Sequence, residues 1–496
     1  MHSVESLRED VDVAYKKLQK SHPRLYLYTS KNRLDAKFDS LKRAITKPMN
    51  SHEFYKKISE TVAHVRQGHA GVVAPLKKFT KKEKKLRNKK KFELNNLNFE
   101  YLDNAIWVKS TVNKESTLVG SEVQKINGDR VSDLLKIYTK RFSSDGYNTT
   151  FYNRRVGLYL PQYYSYDKGY LDSLNITFEK NDSIFSKMFR RIARDSVSGK
   201  TKKDSAKTKP KKLTKPERKL AKLKRKQRLK DNYKYGYVKA KKHYTRNFKF
   251  IANDSVAYMK IRGFKTGDFE DFYKEVFTKI DSAKSRALII DLRDNSGGRL
   301  KEIHELYSYL TDKEFKFVEE GETNARFPTL KAVLSTRPSS FGGVISKGIA
   351  TPVLFFRDLF KVRKTNGKKY YKFKSSKLQK PNPLNYKGPV YVLINGHSFS
   401  ASSVLSVNLQ ASKRATLVGE ETGGAYNSTV AGFTNVVTLP NSKVKLYFGL
   451  LVLETPYKRA LKGYGVQPDV TIIPTQNDRM LNKDPELDWV LNNIQQ

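Results

Sequence analysis

The chain has 496 residues, of which 38% are apolar and 12% aromatic, enough to fill the cores of roughly two to four domains. Its 97 Lys and Arg outnumber its 49 Asp and Glu, which gives a formal net charge of +48. The chain lacks cysteine, which excludes disulfides, thiol nucleophiles and thiolate metal ligands. It also lacks a run of about 18 apolar residues, so no membrane-spanning helix is expected.

The N-terminal part of the chain has the spacing of amphipathic helices. Apolar residues recur every three or four positions between Leu7 and Leu18, between Leu34 and Ile45, and between Phe54 and Val65. Pro23 should end the first helix, because proline lacks a backbone donor. We therefore predict a helical domain over residues 1–75.

The next two regions differ strongly in composition. Residues 76–183 contain short apolar runs and an Asn-Gly-Asp turn at 127–129, which predict a β-rich module. Residues 184–245 are rich in Lys and Arg and have few core-forming positions, so we expect an exposed insertion that is partly helical when bound. Within residues 201–250, 21 Lys and Arg stand against three acidic residues.

From residue 246 onward, strand and helix patterns alternate. Apolar runs at 256–261, 287–292, 389–394 and 415–419 predict strands, with helical spacing between them. The run at 287–292, ALIIDL, is apolar on both faces, as in a sheet that is covered on both sides. The fold class expected for residues 246–496 is therefore an α/β core with a mostly parallel sheet.

Three loops at strand ends have an unusual content. They are DLRDNSGG at 291–298, NGHSFSASS at 395–403 and GEETGG at 419–424. In an α/β core, ligand sites form at the carboxyl ends of the strands. A serine in the first turn of a helix lies beside free backbone N–H groups, which can stabilise an oxyanion. Each loop alone is typical of ordinary caps and turns, but their joint occurrence indicates a site.

In this order and spacing, the motifs DLRDNSGG, NGHSFSAS and VGEETGGA resemble the serine peptidase family of the C-terminal processing peptidases, the tricorn core protease and the interphotoreceptor retinoid-binding protein. The segments HVRQGHAGV, SDGYNTTFYNRR and GYGVQPDV also resemble a tricorn-like bacterial branch of it. The resemblance implies a crotonase-like ββα arrangement in the core and a PDZ-like module at residues 76–183.

The resemblance implies roles for two residues. The family's nucleophile falls on Ser400, and a serine needs a base to take its proton. One branch uses a lysine after the third loop, but Ala425 stands at that position. The tricorn-like branch uses an earlier histidine, which corresponds to His69. His397 is a local rival that we interpret as a turn residue, and His304 as a packing or surface residue.

The group that orients the histidine is not clear from the sequence. Related sequences often carry a glutamate near the G-V-x-P-D motif, but Lys462 stands there, and a lysine cannot accept the imidazole N–H. A serine that precedes the histidine in the tricorn-like pattern is replaced by Gly68. Glu454 and Glu420 are the candidate orienting carboxylates.

The oxyanion hole is expected to use backbone N–H groups. The resemblance places the N–H of Ala401 there, together with that of Gly297 or Gly298. The sequence shows no metal-binding spacing of histidines and acidic residues, and no phosphate loop, so neither a metal nor a cofactor is expected.

The predicted function is a serine endopeptidase or carboxyl-terminal-type peptidase that acts through an acyl-enzyme on Ser400, with peptides or unfolded proteins as substrates. The alternative is a catalytically impaired family member that binds peptides or other ligands. Residues 201–250 would contact polyanions or acidic membrane surfaces. Specific nucleic-acid binding is not predicted, because this stretch lacks regular aromatic interleaving. The resemblance implies a periplasmic, secreted or cell-envelope location and leaves a cytoplasmic one open; the N-terminal residues MHSVESLRED lack the apolar region of a signal peptide, which was either never there or has been removed.

Overall fold

The structure, a computed structural model, describes residues 1–112, 116–193, 214–239, 243–253, 255–336 and 341–495. The predicted basic insertion at 184–245 therefore lies partly outside the described residues. Within these ranges, none of the helices combines the length and the apolarity needed to cross a lipid bilayer.

Helices occur along the whole chain, whereas strands begin only after the third helix. The helices are α1 (Val4–Ser21), α2 (Lys31–Ala44), α3 (Ser51–Ala63), α4 (Lys81–Asn88), α5 (Val131–Tyr138), α6 (Thr150–Leu158), α7 (Leu160–Lys168), α8 (Lys215–Lys234), α9 (Phe269–Ser282), α10 (Leu300–Ser308), α11 (Pro328–Ser335), α12 (Phe341–Lys361), α13 (Ala401–Ala411), α14 (Gln476–Met480) and α15 (Pro485–Gln495). The strands up to the start of the core are β1 (Gly71–Val73), β2 (Lys90–Phe92), β3 (Leu97–Leu102), β4 (Ala105–Thr111), β5 (Glu122–Ile126), β6 (Asp129–Arg130), β7 (Ser173–Lys180), β8 (Ser183–Ala193), β9 (Tyr237–Val238) and β10 (His243–Tyr244). The remaining strands are β11 (Arg246–Ile251), β12 (Val256–Ile261), β13 (Ala287–Asp291), β14 (Gly321–Thr323), β15 (Val362–Thr365), β16 (Lys368–Tyr371), β17 (Val390–Ile394), β18 (Thr416–Gly419), β19 (Thr429–Thr438), β20 (Lys445–Leu453) and β21 (Val470–Thr471).

The three N-terminal helices share a core with strands from the other end of the chain. Their apolar faces are buried as the spacing predicts, and Leu446 and Phe448 of β20 belong to the same apolar cluster. Asp10 of α1 accepts hydrogen bonds from the backbone N–H groups of Asn441 (2.9 Å) and Ser442 (2.7 Å). These contacts join the N-terminal helices to the turn between β19 and β20.

The region between the N-terminal helices and the core is built on an antiparallel sheet. Its strand order is β2-β8-β7-β5-β4-β3, with β6 paired to β5. Helices α5, α6 and α7 accompany this sheet, and its buried core includes Ile126, Val156 and Phe178. The loop between the 3-10 turn at 139–141 and α6 carries the segment SDGYN towards the core.

The central sheet has the order β11-β12-β13-β17-β18-β21. Only β11 pairs antiparallel, and the other neighbours are parallel, which confirms the mixed α/β core with a mostly parallel sheet. Strands β13 and β17 are buried along their whole length, as the apolar runs predict. Because they are adjacent and parallel, the loops after Asp291 and Ile394 emerge side by side.

A second, antiparallel sheet joins distant parts of the chain. It has the order β1-β20-β19, and Gly71 of β1 pairs with Tyr447 of β20. His69 lies two positions before Gly71, the first residue of β1, and Thr429 is the first residue of β19. The sheet therefore brings His69 close to Thr429, at the end of the loop that follows GEETGG.

The described part of the basic insertion contains α8, which is exposed throughout except near its C-terminal end. Thr214 and Glu217 form a capping box at its start. Ten Lys and Arg and only two acidic residues lie within this helix. Its C-terminal end is tied to the core, since Lys234 forms an ion pair with Glu275 and the Tyr235 hydroxyl donates to the same carboxylate at 2.8 Å.

Candidate active site

Ser400 lies at the junction of a buried strand and a buried helix. Its backbone has φ 58° and ψ −117°, and α13 begins at the next residue. A residue with a Cβ avoids this region, so the conformation is strained. Such a turn between a strand and a helix is typical of serine nucleophiles.

The loop after β13 packs directly against this turn. The carbonyl of Asn295 accepts from the N–H of Phe399 at 3.0 Å and from the Ser402 hydroxyl at 2.9 Å. Gly297 has φ 96°, and a Cβ built on it would lie 2.8 Å from Ser400 Cβ. Only glycine fits at this position, because any side chain would displace Ser400.

Among the described residues, two backbone N–H groups in the loops that meet at Ser400 have no hydrogen-bond acceptor. The N–H of Gly297 donates to Asn295 Oδ1 at 2.9 Å, so it is already used within its loop. In the described ranges, no hydrogen bond uses the N–H of Gly298 or of Ala401. Ala401 is the first residue of α13, where N–H groups lack an intrahelical partner and the helix dipole favours negative charge.

His69 contacts Ser400 although 331 residues separate them in the sequence. Its Nε2 lies 3.0 Å from Ser400 Oγ. The imidazole stacks on the Phe399 ring, with the centroids 4.9 Å apart. Burial lowers the pKa of His69 to about 4, and the charges of Lys265 and Arg155 lower it further. The ring is therefore neutral at pH 7 and can accept a proton.

The other ring nitrogen of His69 contacts a hydroxyl, and a buried carboxylate binds the backbone of the residue before it. Thr429 Oγ1 lies 3.3 Å from His69 Nδ1. Asp145 is fully buried, and its Oδ1 accepts from the N–H of Gly68 at 2.8 Å. Burial raises the pKa of Asp145 to about 6, and hydrogen bonding by Gly68, Thr429 and Ala425 opposes this rise. Its Oδ2 lacks a well-formed hydrogen bond among the described residues.

The candidate carboxylates of the sequence analysis are held elsewhere by cations. Glu454 pairs with Arg24 and, at 3.4 Å, with Lys458. Glu420 accepts from Arg154 Nε and from the N–H of Gly396, both at 2.9 Å. The structure does not bring either carboxylate to His69; instead, its Nδ1 contacts Thr429.

The other histidines considered from the sequence do not contact Ser400. Nδ1 of His397 lies 3.3 Å from the carbonyl of Asp294, and its ring stacks on Phe151. His304 packs against Phe315 and Phe317. Across the described residues, no group of three or more His, Asp or Glu side chains could hold a metal ion.

Sequence reasoning did not identify Thr429 or Asp145. Asp145 lies in the SDGYNTTFYNRR segment, and it is buried together with the two residues before it, Ser143 and Ser144. A run of buried polar residues has no signature of its own in a single sequence. Their meeting with His69 depends on the pairing of β1, β20 and β19, which only the folded chain shows.

Comparison with known proteins shows that part of this chain matches a known family. The family model described as "Peptidase family S41" matches residues 255–472. The "Tail-specific protease" of Haemophilus influenzae is 25% identical over 177 residues, which cover 36% of this chain and 18% of that protein. The "Carboxy-terminal-processing protease" of Bartonella bacilliformis is 25% identical over 228 residues, 45% of this chain and 40% of that protein. The chain thus spans less than half the length of these curated relatives.

The fold extends the likeness beyond the matched region. The crystal structure of mature CPAF superposes with a TM-score of 0.62 at 16% identity, over 98% of this chain and 96% of that chain. A structure of mature CPAF complexed with lactacystin gives the same TM-score and identity, over 98% of this chain and 97% of that chain. Residues 255–472 of the chain therefore match peptidase family S41, a family of serine-type hydrolases, and the chain as a whole shares the fold of mature CPAF.

Proposed function

We propose that this chain is a serine peptidase in which Ser400 is the nucleophile and His69 the general base. The observation that carries the proposal is the 3.0 Å contact between His69 Nε2 and Ser400 Oγ. That distance is within the reach required for proton transfer. The neutral imidazole, the strained turn and the two free N–H groups support the same roles.

The reaction would proceed through an acyl-enzyme. Ser400 Oγ forms a bond to the scissile carbonyl carbon while its proton passes to His69 Nε2. The oxyanion accepts hydrogen bonds from Ala401 and Gly298, and His69 then protonates the departing amine. In the second half, water attacks the ester carbonyl and gives a proton to His69; the bond from the acyl carbon to Ser400 Oγ then breaks, His69 returns the proton to Oγ, and the acyl group leaves as a carboxylic acid.

The substrate is proposed to be an extended peptide or an unfolded protein. The relatives are named for tail-specific and carboxy-terminal processing, which favours cleavage near chain ends over cleavage of compact domains. By family resemblance, we propose that the reaction takes place in the periplasm, the cell envelope or outside the cell, with the cytoplasm as the alternative. A peptide-binding member without catalysis is the second candidate, favoured by Lys462 at the usual glutamate position.

Peptide hydrolysis by matched variants separates the two candidates. Ser400→Ala should abolish cleavage of unstructured peptides, and His69→Ala should lower kcat by roughly 10³-fold or more. Ser412→Ala, which changes an exposed serine at the end of α13, should cleave like the wild type. Hydrolysis that survives Ser400→Ala would disprove the nucleophile. A wild type that binds these peptides without cleaving them would favour the binder.

A further inference from the structure

We propose that Thr429 and Asp145 are positioning residues that hold His69 in its active tautomer and stabilise its protonated form. The inference rests on the proposed function and explains how the site works without the carboxylate that Lys462 replaces. Thr429 would connect the imidazole to Asp145 through its hydroxyl. Neither side chain would touch the substrate.

The directions of the hydrogen bonds follow from the role of Nε2. A base must present an unprotonated Nε2 to Ser400, so the ring proton must be on Nδ1. Thr429 Oγ1, 3.3 Å away, then accepts from Nδ1. A hydroxyl that accepts in this way still has its own proton to donate. The acceptor for this proton would be Oδ2 of Asp145. This atom is buried and has no well-formed hydrogen bond in the described part of the chain.

Asp145 is a buried carboxylate without a cationic partner among the described residues, as expected if its charge stabilises the imidazolium. It is fully buried, and no Lys or Arg among the described residues forms a salt bridge with it. Its Oδ1 holds the N–H of Gly68, the residue before His69, so the same carboxylate also fixes the backbone of the base. The imidazolium formed during catalysis would be the cation that compensates its charge.

A purely structural role for Asp145 makes a different prediction. It would fix the N–H of Gly68 and nothing more, and Asp145→Asn keeps an oxygen for that bond. Thr429→Val likewise keeps the shape of the side chain but removes the hydroxyl, while Thr429→Ser restores it. The structural role therefore predicts normal turnover in all three variants.

Steady-state kinetics with an unstructured peptide decide between these roles. We expect Asp145→Asn and Thr429→Val to lower kcat by 10-fold to 10³-fold with KM nearly unchanged, and Thr429→Ser to recover most of the loss. Wild-type kcat in both Asp145→Asn and Thr429→Val would overturn the inference. Ser400→Ala serves as the separate control, because activity in that variant would disprove the proposed function instead.

The pH profile of kcat/KM gives a readout that a structural role would not move. Burial raises the pKa of Asp145 to about 6 and lowers that of His69 to about 4. The surrounding charges are Lys265 and Arg155 near His69, and Tyr28 lies near Asp145. If both must be deprotonated, the acidic limb of the wild type lies near pH 6 and moves towards pH 4 in Asp145→Asn. An unchanged limb would contradict the coupling.

A second inference rests on a different observation, the apolar face of α12. This face comprises Ile345, Ile349, Val353, Phe356 and Phe360, which are 50%, 71%, 65%, 56% and 78% exposed. Their spacing of three to four residues puts them on one side of the helix. Such a continuous apolar stripe is rare on a monomeric protein surface and marks an interaction site.

The opposite side of α12 is fixed to the protein. Asp358 is buried and accepts from the backbone N–H groups of Thr329 (2.9 Å) and Leu330 (3.0 Å) at the start of α11. Phe355 stacks on Phe327, with the ring centroids 4.8 Å apart. These contacts hold the helix so that its apolar face points outward.

The charges around this face identify the kind of partner. Residues 341–372 contain eight Lys and Arg and one acidic residue, the buried Asp358. A second copy of the chain would bring the same positive charge to the contact, which disfavours self-association. We infer that α12 binds an anionic lipid surface, with its apolar face among the headgroups and the cations beside them.

Vesicle sedimentation of the whole protein tests this inference. We expect binding to vesicles of 30% phosphatidylglycerol in phosphatidylcholine, and at least 10-fold weaker binding to pure phosphatidylcholine. The variant I349S/V353S/F360S should lose most of the binding. The matched control L220S/L223S/L229S changes exposed leucines of the basic helix α8 and should retain it.

Three results would overturn the lipid assignment. These are no binding to anionic vesicles, equal binding by both triple variants and the wild type, or a dimer in analytical ultracentrifugation that the α12 variant alone abolishes. The last result would make a second copy of the chain the occupant of this face.

Discussion

Ser400 combines a reactive position with an unfavourable backbone conformation. Its φ of 58° and ψ of −117° lie in a region that glycine enters readily and other residues avoid. The packing of Asn295 and Gly297 against the turn maintains this conformation. Strain of this kind is common at catalytic residues, where the surrounding structure compensates for it.

The first prediction follows from this strain. Ser400→Gly should be more stable than Ser400→Ala by about 1 kcal/mol, because glycine adopts the observed φ and ψ without a Cβ clash. Both variants lack the hydroxyl and should be equally inactive. Urea unfolding followed by circular dichroism measures the difference, and a less stable glycine variant would show that the turn is not strained.

Asp145 gives a prediction about stability and pH. Because its pKa is about 6 in the folded protein and about 3.8 when unfolded, the folded state binds more protons between these values. Its contribution to stability therefore falls as the pH rises from about 4 to 6. Asp145→Asn removes this loss, so its stability relative to the wild type should increase over that interval, by at most about 3 kcal/mol.

Thermal unfolding of both proteins between pH 4 and pH 7 checks this. The wild-type curve also contains His69, whose lowered pKa favours the folded state as the pH rises, so only the difference between the two proteins is informative. If the stability of Asp145→Asn relative to the wild type stays constant or falls as the pH rises, the pKa of Asp145 is not raised in the folded protein.

The elements show which parts of the site a single sequence can predict. Strands β13 and β17 are continuous apolar runs, and the loops that follow them are visible in the sequence. The contact of Ser400 with His69 could be expected from family resemblance alone. The approach of Thr429 and Asp145 could not, since it depends on long-range pairing in the sheet β1-β20-β19 and on the loop before α6.

Local propensity was also a weak guide where tertiary contacts decide. The composition of residues 76–183 predicts a β-rich module, but within its stretch FELNNLNFEYL a short 3-10 turn at Glu93–Asn96 separates β2 from β3. Glu420 and Glu454 were suggested because of their charge, whereas Arg154 and Arg24 already bind them. A sequence shows which carboxylates are present, but not which of them form ion pairs with Arg or Lys in the folded chain.

The exposed basic helix α8 gives a prediction of its own. Lys219→Glu, Lys222→Glu and Lys226→Glu together should weaken binding to heparin at least 10-fold, because binding of a polyanion depends on released counterions. Cleavage of a neutral peptide should not change, since the contacts that join α8 to the core lie near Lys234. Heparin affinity equal to that of the wild type would exclude α8 as the polyanion site.

The charge of the whole molecule sets its response to salt. A net charge of +48 on 496 residues opposes compaction through self-repulsion, which salt screens. The melting temperature should therefore rise by several degrees between 10 mM and 200 mM NaCl at pH 7. The control is 200 mM glycine, which is zwitterionic and adds no ionic strength. A melting temperature that falls with salt would mean that local ion pairs outweigh the repulsion.

The central claim is that Ser400 is activated by His69, and active-site labelling tests it most directly. A fluorophosphonate probe should label the wild type at Ser400, as peptide mass spectrometry would show. Labelling should be absent in Ser400→Ala and at least about 10²-fold slower in His69→Ala. Labelling of another serine, or an equal rate in His69→Ala, would contradict the claim.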